Sequence, residues 1–563
     1  MAARRPFLFR YLHFSPPMES ISIALAMMMA VVVSGVLVRM LPVPIPLPLV
    51  QIALGALIAG GFNRGVALDP EIFFLLFLPP LLFLDGWRIP KEGVLRDKYA
   101  IVELALGLVI CTVVGVGFFI HWLIPAMPLA IAFALAAIIS PTDPVAVSAI
   151  TSRVTIPKRV MHVLEGESLL NDASGLVAFR FAVAAAVTGS FSLTQAALSF
   201  VWVACAGLAT GAMFTLAVTW IKNRVSRRYG EEAGSQILVS LLIPFGAYEL
   251  AEHIGASGIL AAVAAGVTMS YAELSGTAGA TTRVQRGAVW NMVQFTLNGV
   301  MFVLLGEQLP AILDGAVRVV TETGHANPWW LVIYALAISL ALAVLRFAWV
   351  WVSLAIGRVV AQRRGNVSPR PNPRLIAAIS LAGVRGAITL AGVMTLPLTL
   401  NDGTPLPARD LAIFLAASVI IISLVAASFF LPRLLHNLDI PVESEHHRYE
   451  DMASNVAREA ALRGVERTLH QLVALHPDKD PQIYASVANQ VMESLKRNAY
   501  DGSGQPLDAA VMRELEAIER EMRLGAITEA RIEIFRLARE NKIPDHVCRE
   551  WVSRYDLQEA RMR

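Results

Sequence analysis

Two stretches of the chain carry residues able to do chemistry in an unexpected setting: "ISPTDPVAVSAI" at 139–150 and "EGESLLND" at 165–172. Between them they hold Thr142, Asp143, Glu165, Glu167, Ser168, Asn171 and Asp172, and each lies in a run of apolar residues long enough to cross a bilayer. A single carboxylate can hold either a proton or a hard monovalent cation, and hydroxyl and carbonyl oxygens complete the cation's shell. Burial favours the protonated form and an adjacent cation the ionised one, so the two compete for one site. Such competition is by itself a mechanism of exchange.

A charged residue at the centre of a spanning helix costs about 2.5–3.5 kcal/mol on insertion scales. This chain places Asp85, Asp143, Glu167 and Asp172 in apolar runs, together with Arg180, Arg346 and Arg385. Several costly residues of both signs point to an ion path with counter-charges. Pro141 and Pro144 bracket Thr142 and Asp143. Proline removes an N–H and disfavours helix at the residue before it, so the helix is expected to open there and leave carbonyls beside a carboxylate. Unwound backbone at membrane depth is tolerated only where protein or water satisfies it, and in transporters that is where ions bind. A second interruption is expected in "LAGVRGAITLAG", where Gly383 and Gly386 flank Arg385. An arginine there can hold the negative ends of a broken helix or a nearby carboxylate.

The elements that position these residues follow from composition. The 563 residues are 56% hydrophobic and 16% charged, with mean hydropathy +0.58, against about 25% charged in a soluble domain. A formal net charge of +3 without a basic, aromatic-interleaved patch gives no argument for nucleic acid. Cys111, Cys205 and Cys548 lie far apart without metal-ligand spacing and imply neither a disulfide framework nor a zinc site. Up to about residue 432 roughly one residue in nine is charged, and beyond it roughly one in three. The expected organisation is an N-terminal extension at 1–18, a membrane domain at 19–432 and a soluble helical tail at 433–563.

Thirteen apolar runs are expected to cross the membrane: 19–40, 43–62, 70–87, 99–123, 127–150, 165–188, 195–221, 234–253, 255–271, 288–310, 329–357, 374–399 and 409–432. Lys and Arg gather in alternate loops, with Arg88, Lys91, Arg96 and Lys98 in one and Lys222, Arg224, Arg227 and Arg228 in another. The opposite loops hold only Arg64, Arg318 and Arg409. Cytoplasmic loops accumulate positive charge, so the N-terminus is expected outside and the tail in the cytoplasm. Arg4, Arg5 and Arg10 conflict with that orientation, a conflict removed if Met18 is the native start. If span 7 is a linker, spans 1–6 and 8–13 form two six-span halves of opposite orientation, with the broken helix fifth in each. Paired interruptions in inverted halves are the pointer to a transporter's central site.

With these motifs in place, the membrane domain resembles the cation/proton antiporter-1 family, the NhaP/NHE-type sodium/proton exchangers. The likeness rests on "FLPPLLFLDGW", "SPTDPVAV", "EGESLLNDASGLV", "GASGILAAVAAGV", "FTLNGVMFVLLG" and "AGVRGAITLAG", and is nearest to long bacterial members with a helical cytoplasmic tail. The resemblance implies an all-α polytopic fold of about thirteen transmembrane helices, with two inverted repeats whose broken helices cross at mid-membrane. It implies a secondary antiporter of the inner membrane, not an enzyme, exchanging Na+, K+ or Li+ for H+ one for one, with no cofactor and as a homodimer. Position by position, it puts the proton- and cation-exchanging carboxylate on Asp172 beside Asn171, and accessory cation ligands on Thr142, Asp143 and Ser168. It also implies a structural ion pair between Glu167 and Arg385, and an ion pathway past Asp85 and Glu165. At Asp85 the chain departs by one residue from many relatives, which carry the acid directly after "LLF". The readings from other classes are a cation channel, which would not couple proton to cation movement, and an intramembrane aspartyl hydrolase using Asp143 and Asp172, whose GxGD signature the chain lacks.

Other features carry smaller expectations. Glu249 and His253, one turn apart, can form a pH-sensitive pair, Arg346 is expected to meet a neighbouring helix or reach toward headgroups, and Trp329 and Trp330 read as an interfacial anchor. In the tail, helical periodicity runs over 448–475 and again over about 507–541, separated by "GSGQP" at 502–506.

Overall fold

The computed structural model describes residues 17–41, 45–62, 70–89, 98–143, 147, 158–188, 193–273, 280–322, 327, 329–363, 373–400, 403–435 and 462–471, single positions between 473 and 534, and 545–562. Arg4, Arg5 and Arg10, Pro144, and the "GSGQP" break of the tail lie outside these residues. By its internal contacts the chain divides into two units, Met1–Asp439 and Ile440–Arg563.

In the first unit the helices are α1 Pro17–Met40, α2 Leu47–Phe62, α3 Pro70–Arg88, α4 Lys98–Val102, α5 Val109–Leu123, α6 Leu129–Ile138, α7 Lys158–Thr188, α8 Leu193–Tyr229, α9 Ala233–His253, α10 Gly258–Glu273, α11 Ala280–Glu322, α12 Trp329–Arg363, α13 Pro373–Leu381, α14 Ala387–Met394 and α15 Arg409–Leu435. Among the described residues the fold is all-helical apart from one bridge between Thr399 and Pro405. Among the described residues eight helices are long and apolar enough to cross a membrane, and α2, α6 and α10 are shorter apolar helices. Several helices outrun the apolar stretches that foretold them. Helix α11 begins eight residues before the run at 288 and ends twelve after it, because helical geometry continues through the polar turns at either end. The composition change at 432 falls inside α15, which continues to Leu435. Helix α10 starts after a turn in which Gly255 takes φ 70°, the left-handed region that glycine enters without strain.

A π-helical turn at Glu103–Leu108 joins α4 to α5. Such a turn shifts the ladder by one residue and leaves carbonyls to be met from outside it. Ser174 on α7 donates its Oγ to the Ala105 carbonyl at 2.7 Å, and Ser353 on α12 donates to the Glu103 carboxylate at 2.9 Å.

The core centres on α6, "LAIAFALAAI", which is apolar on every face and has seven of its ten residues buried. A helix hydrophobic all round must be surrounded, and α5, α7 and α15 enclose it. Two other contacts bring backbones together. Helix α2 meets α11 through Gly55 and Gly306: a Cβ on Gly306 would collide with the Ile52 carbonyl, and one on Gly55 with the Val303 carbonyl. Helix α3 meets α10 in the same reciprocal way, Gly86 against Val263 and Gly266 against Phe83. Small residues at such crossings replace the hydrophobic drive that lipid removes.

The second unit is described only in part. It is helical over 462–471, within the stretch where periodicity indicated helix, and α16 spans Asp545–Met562.

The glycine crossings yield a stability prediction. Gly306→Ala should cost about 1–3 kcal/mol through overpacking and lower the melting temperature of the detergent-purified protein. Gly60→Ala, with nothing within 4 Å of its Cβ position, should leave it unchanged. Equal behaviour of the two variants would contradict the backbone contact.

Candidate functional site

Helix α6 stops at Ile138, and Ile139 to Asp143 leave the helical path. Helix α13 stops at Leu381, and the chain runs through Gly383–Gly386 before α14 begins. These unwound stretches meet. Asp143 donates its N–H to the Val384 carbonyl at 2.7 Å, a backbone bond between the two broken helices. Arg385 Nε donates to the Ile139 carbonyl at 3.0 Å and Nη1 to the Gly383 carbonyl at 2.5 Å. Its own backbone N–H is taken by Ser423 Oγ of α15 at 3.1 Å. Arg385 therefore caps the negative ends of two helices, and the positive end of α14 lies beside Asp143.

Both glycines of the second break have a packing reason. A Cβ on Gly383 would stand 2.6 Å from Arg346 Nε, and one on Gly386 would enter the Asp143 carboxyl group. On α7, a Cβ at Gly175 would stand 2.6 Å from the Pro141 ring, so glycine there lets α7 close on the unwound stretch.

The ion pair assigned to Glu167 and Arg385 is formed instead by Glu167 and Arg346. Arg346 Nη1 donates to Glu167 Oε1 at 2.5 Å and Nη2 to Oε2 at 2.8 Å, with the residues 2% and 0% exposed. Arg385 is spent on carbonyls, which is the other role open to it. The pair reaches the unwound stretch through hydrogen bonds: Thr142 Oγ1 donates to Glu167 Oε1 at 3.4 Å, and Asn171 Nδ2 donates to Thr142 Oγ1 at 3.0 Å. Ser168 Oγ donates to the Thr142 carbonyl at 2.7 Å. So α7 fixes the orientation of Thr142 from three of its own side chains.

In front of this network lies a cavity of about 30 Å³, above the ~10–15 Å³ that one water requires. Asp85, Thr142, Asp143, Ser168 and Asp172 line it, with Pro141 and Gly386 of the two breaks. Asn171 does not line it and stands behind Thr142 as a support. Glu165 is half-buried and also outside the lining. Three polar residues not singled out from the sequence, Gln294 and Asn298 on α11 and Thr389 on α14, complete the wall together with Leu81 and Ile388. Their signal was present, since Gln294 and Asn298 are one turn apart within an apolar run and so share a face. Among the described residues no three His, Cys, Asp or Glu side chains converge on one point. The oxygens available to a bound ion are the carboxylates of Asp85, Asp143 and Asp172 with the hydroxyl and amide oxygens beside them, a hard-oxygen set without sulfur or imidazole.

Other expectations resolve simply. Arg180 pairs with Glu252 at 2.9 Å, and Glu252 also accepts the Gly258 N–H at the start of α10. Glu249 and His253 are exposed. Trp329 is exposed as well, as an interfacial ring would be.

Removing Glu167 should strand Arg346 without a counter-charge, at a cost of about 3–5 kcal/mol. Glu167→Gln should therefore reduce the yield of monodisperse protein on size exclusion, and Arg346→Gln added to it should recover much of the loss. Arg385→Gln should give no such recovery, and rescue by Arg385→Gln alone would reinstate the other pairing.

Comparison with known proteins places this geometry. Residues 25–437 match the family model described as sodium/hydrogen exchanger, transmembrane. The chain is 40% identical to the uncharacterized Na(+)/H(+) exchanger YjcE of Escherichia coli, over 91% of this chain and 93% of that protein. It is also 40% identical to the sodium, potassium, lithium and rubidium/H(+) antiporter of Bacillus pumilus, over 91% of this chain and 72% of that one. Among solved structures, the sodium proton antiporter MjNhaP1 of Methanocaldococcus jannaschii aligns over 75% of this chain and 99% of its own, with a TM-score of 0.57 at 18% identity.

Proposed function

The chain belongs to the sodium/hydrogen exchanger family, and from that premise we propose that it is a secondary antiporter in which Asp172 binds either a proton or a monovalent cation. The observation that carries this reading is the cavity at the crossing of two broken helices, lined by Asp172, Asp143 and Asp85 together with Thr142 and Ser168. Asp172 is buried beside oxygens able to complete a cation's shell. A proton and a cation neutralise it equally well, so loading one releases the other. The neighbouring Asn171 adds no second charge, which supports exchange of one cation for one proton without net charge movement. Sodium is the proposed substrate, with potassium and lithium as further candidates, because hard oxygen ligands accept all three.

We read the membrane unit as thirteen spans, taking α4 with α5, and α13 with α14, as one span each. The described helices overlap all thirteen apolar runs. Two inverted halves, α1–α7 and α9–α15, are supported by the glycine crossings as well as by the breaks. The relation that exchanges span 2 with 9 and span 3 with 10 carries the α2–α11 contact onto the α10–α3 contact, and each has reciprocal glycines. Loop charge puts the end of α3 and the start of α7 on the cytoplasmic side of an inner membrane, the N-terminus outside and the tail in the cytoplasm. Access then alternates as the broken-helix body moves against α2, α3, α10 and α11. Ala173 and Val177 of α7 pack on Leu260 of α10, and with the Arg180–Glu252 pair they close the outer side. The homodimer expected of the family is part of the same proposal.

In everted vesicles preloaded acidic, adding sodium or potassium salt should alkalinise the lumen, and Asp172→Asn should abolish the response at equal protein abundance. A response equal in both would remove Asp172 from the transport site. In proteoliposomes, an imposed membrane potential without cation or pH gradients should drive no transport, and potential-driven flux would refute one-for-one exchange.

A further inference from the structure

Arg88 closes α3 three residues after Asp85, on the same helix face, so that a fixed positive charge stands beside a path proposed for cations. Its guanidinium donates to Gln294 Oε1 at 2.7 Å and to Asn291 Oδ1 at 2.5 Å, both on α11. Although exposed, it is carried on an immobilised turn. Next to it, Trp87 donates Nε1 to Glu273 Oε2 at 2.7 Å, and Glu273 is ion-paired with the buried Arg286. The Arg286 guanidinium lies 5.5 Å over the Trp87 ring, and Phe83 stacks on Trp290 at 5.2 Å. Contacts from α10 and α11 thus clamp the last turn of α3 on both sides of Gly86.

A cation at the mouth of a cation path opposes entry, so its place there calls for a reason beyond joining two helices. Gln294 supplies one. It lines the cavity with Asp85, and an amide offers a carbonyl acceptor on one side and an NH2 donor on the other. The oxygen that could ligate a cation is drawn toward Arg88, whose positive charge opposes a second cation on that same oxygen, and the NH2 group is a donor that cannot ligate one. We propose that Arg88 is a positioning residue that sets the cation affinity at the cytoplasmic mouth, by holding the Gln294 carbonyl away from the cavity until the amide turns to meet an ion beside Asp85. This rests on the exchanger reading above and deepens it.

The test measures the sodium dependence of exchange in everted vesicles, where the cytoplasmic mouth faces the added salt, and in right-side-out vesicles, where it does not. Arg88→Gln should lower KM for sodium about threefold or more in everted vesicles, since it removes an opposing charge and frees the amide oxygen. KM from the other side should stay unchanged. Arg88→Lys, which keeps the charge but not the two-pronged grip, should fall between, and it serves as the second variant if Arg88→Gln folds poorly. Gln294→Leu should raise KM, and in that background Arg88→Gln should lose most of its effect. Unchanged KM in both Arg88 variants, with lower Vmax alone, would make Arg88 a structural staple and overturn the proposal. So would a KM shift of full size in the Gln294→Leu background. Absence of cation-driven proton movement in the unmodified protein would instead refute the exchanger reading itself.

Discussion

A break in a helix within hydrocarbon exposes backbone groups that no solvent will satisfy, and the site is arranged around meeting that requirement at 139–143 and 382–386. In lipid each unmet group costs several kcal/mol. The two breaks therefore complete one another, Asp143 N–H to Val384 carbonyl, with Arg385 bridging the Ile139 and Gly383 carbonyls just past α6 and α13 and Ser423 taking the Arg385 N–H. The consequence is chemical. Once both stretches are held by side chains and by each other, they can stay open, and their hydroxyls and carboxylates converge without a continuous helix between them.

The second arginine explains why a cation would bind where it does. Burying a charge pair is seldom a net gain over apolar packing, yet losing one partner is severe. Arg346 is locked onto Glu167, and Arg385 onto carbonyls. Among the described residues no Lys, Arg or His side chain forms a salt bridge with Asp172. The chain thus supplies fixed counter-charge to one acid of α7 and withholds it from the other, five residues away. An acid left in this position has to be neutralised by something mobile, and the cavity in front of it admits only a small species.

Much of this was legible because membrane burial makes polar residues conspicuous. Thr142, Asp143, Ser168 and Asp172 stand out as polar residues in apolar runs, Pro141 marks the first break, and all four line the cavity with Asp85. Partner choice was not legible. Arg346 sits in "LAVLRFAWV", where periodicity does not say which neighbour its face meets, whereas Arg385 between its glycines could hold either helix ends or a carboxylate, and the family resemblance favoured the carboxylate of Glu167. Reach decides the matter: Gly383 leaves room for the Arg346 guanidinium to pass to Glu167, a fact of packing between helices far apart in sequence. The roles of the Asn171–Asp172 pair, which the family resemblance supplied, separate for a related reason: successive residues of a helix point about 100° apart, and the Asn171 amide N–H turns to Thr142 and Glu167.

Two kinds of packing coexist in the membrane unit, and their difference bears on motion. Where α2 meets α11 and α3 meets α10, backbone approaches backbone through reciprocal glycines, so sliding by a fraction of a turn would drive side chains into carbonyls. Where α7 meets α10, contact is made by the side chains of Ala173, Val177 and Leu260, which can exchange neighbours at small cost. Interlocked backbones suit a scaffold, and smooth apolar side chains suit a moving face. The cavity lies on that boundary, with Asp85, Gln294 and Asn298 from the interlocked helices, Asp143 and Thr389 from the broken ones and Asp172 from α7. If Asp172 exchanges proton for cation as proposed, a displacement along that boundary would carry its carboxylate past ligands that stay behind, and the shell offered to a cation would differ between the two sides of the membrane with Asp172 common to both.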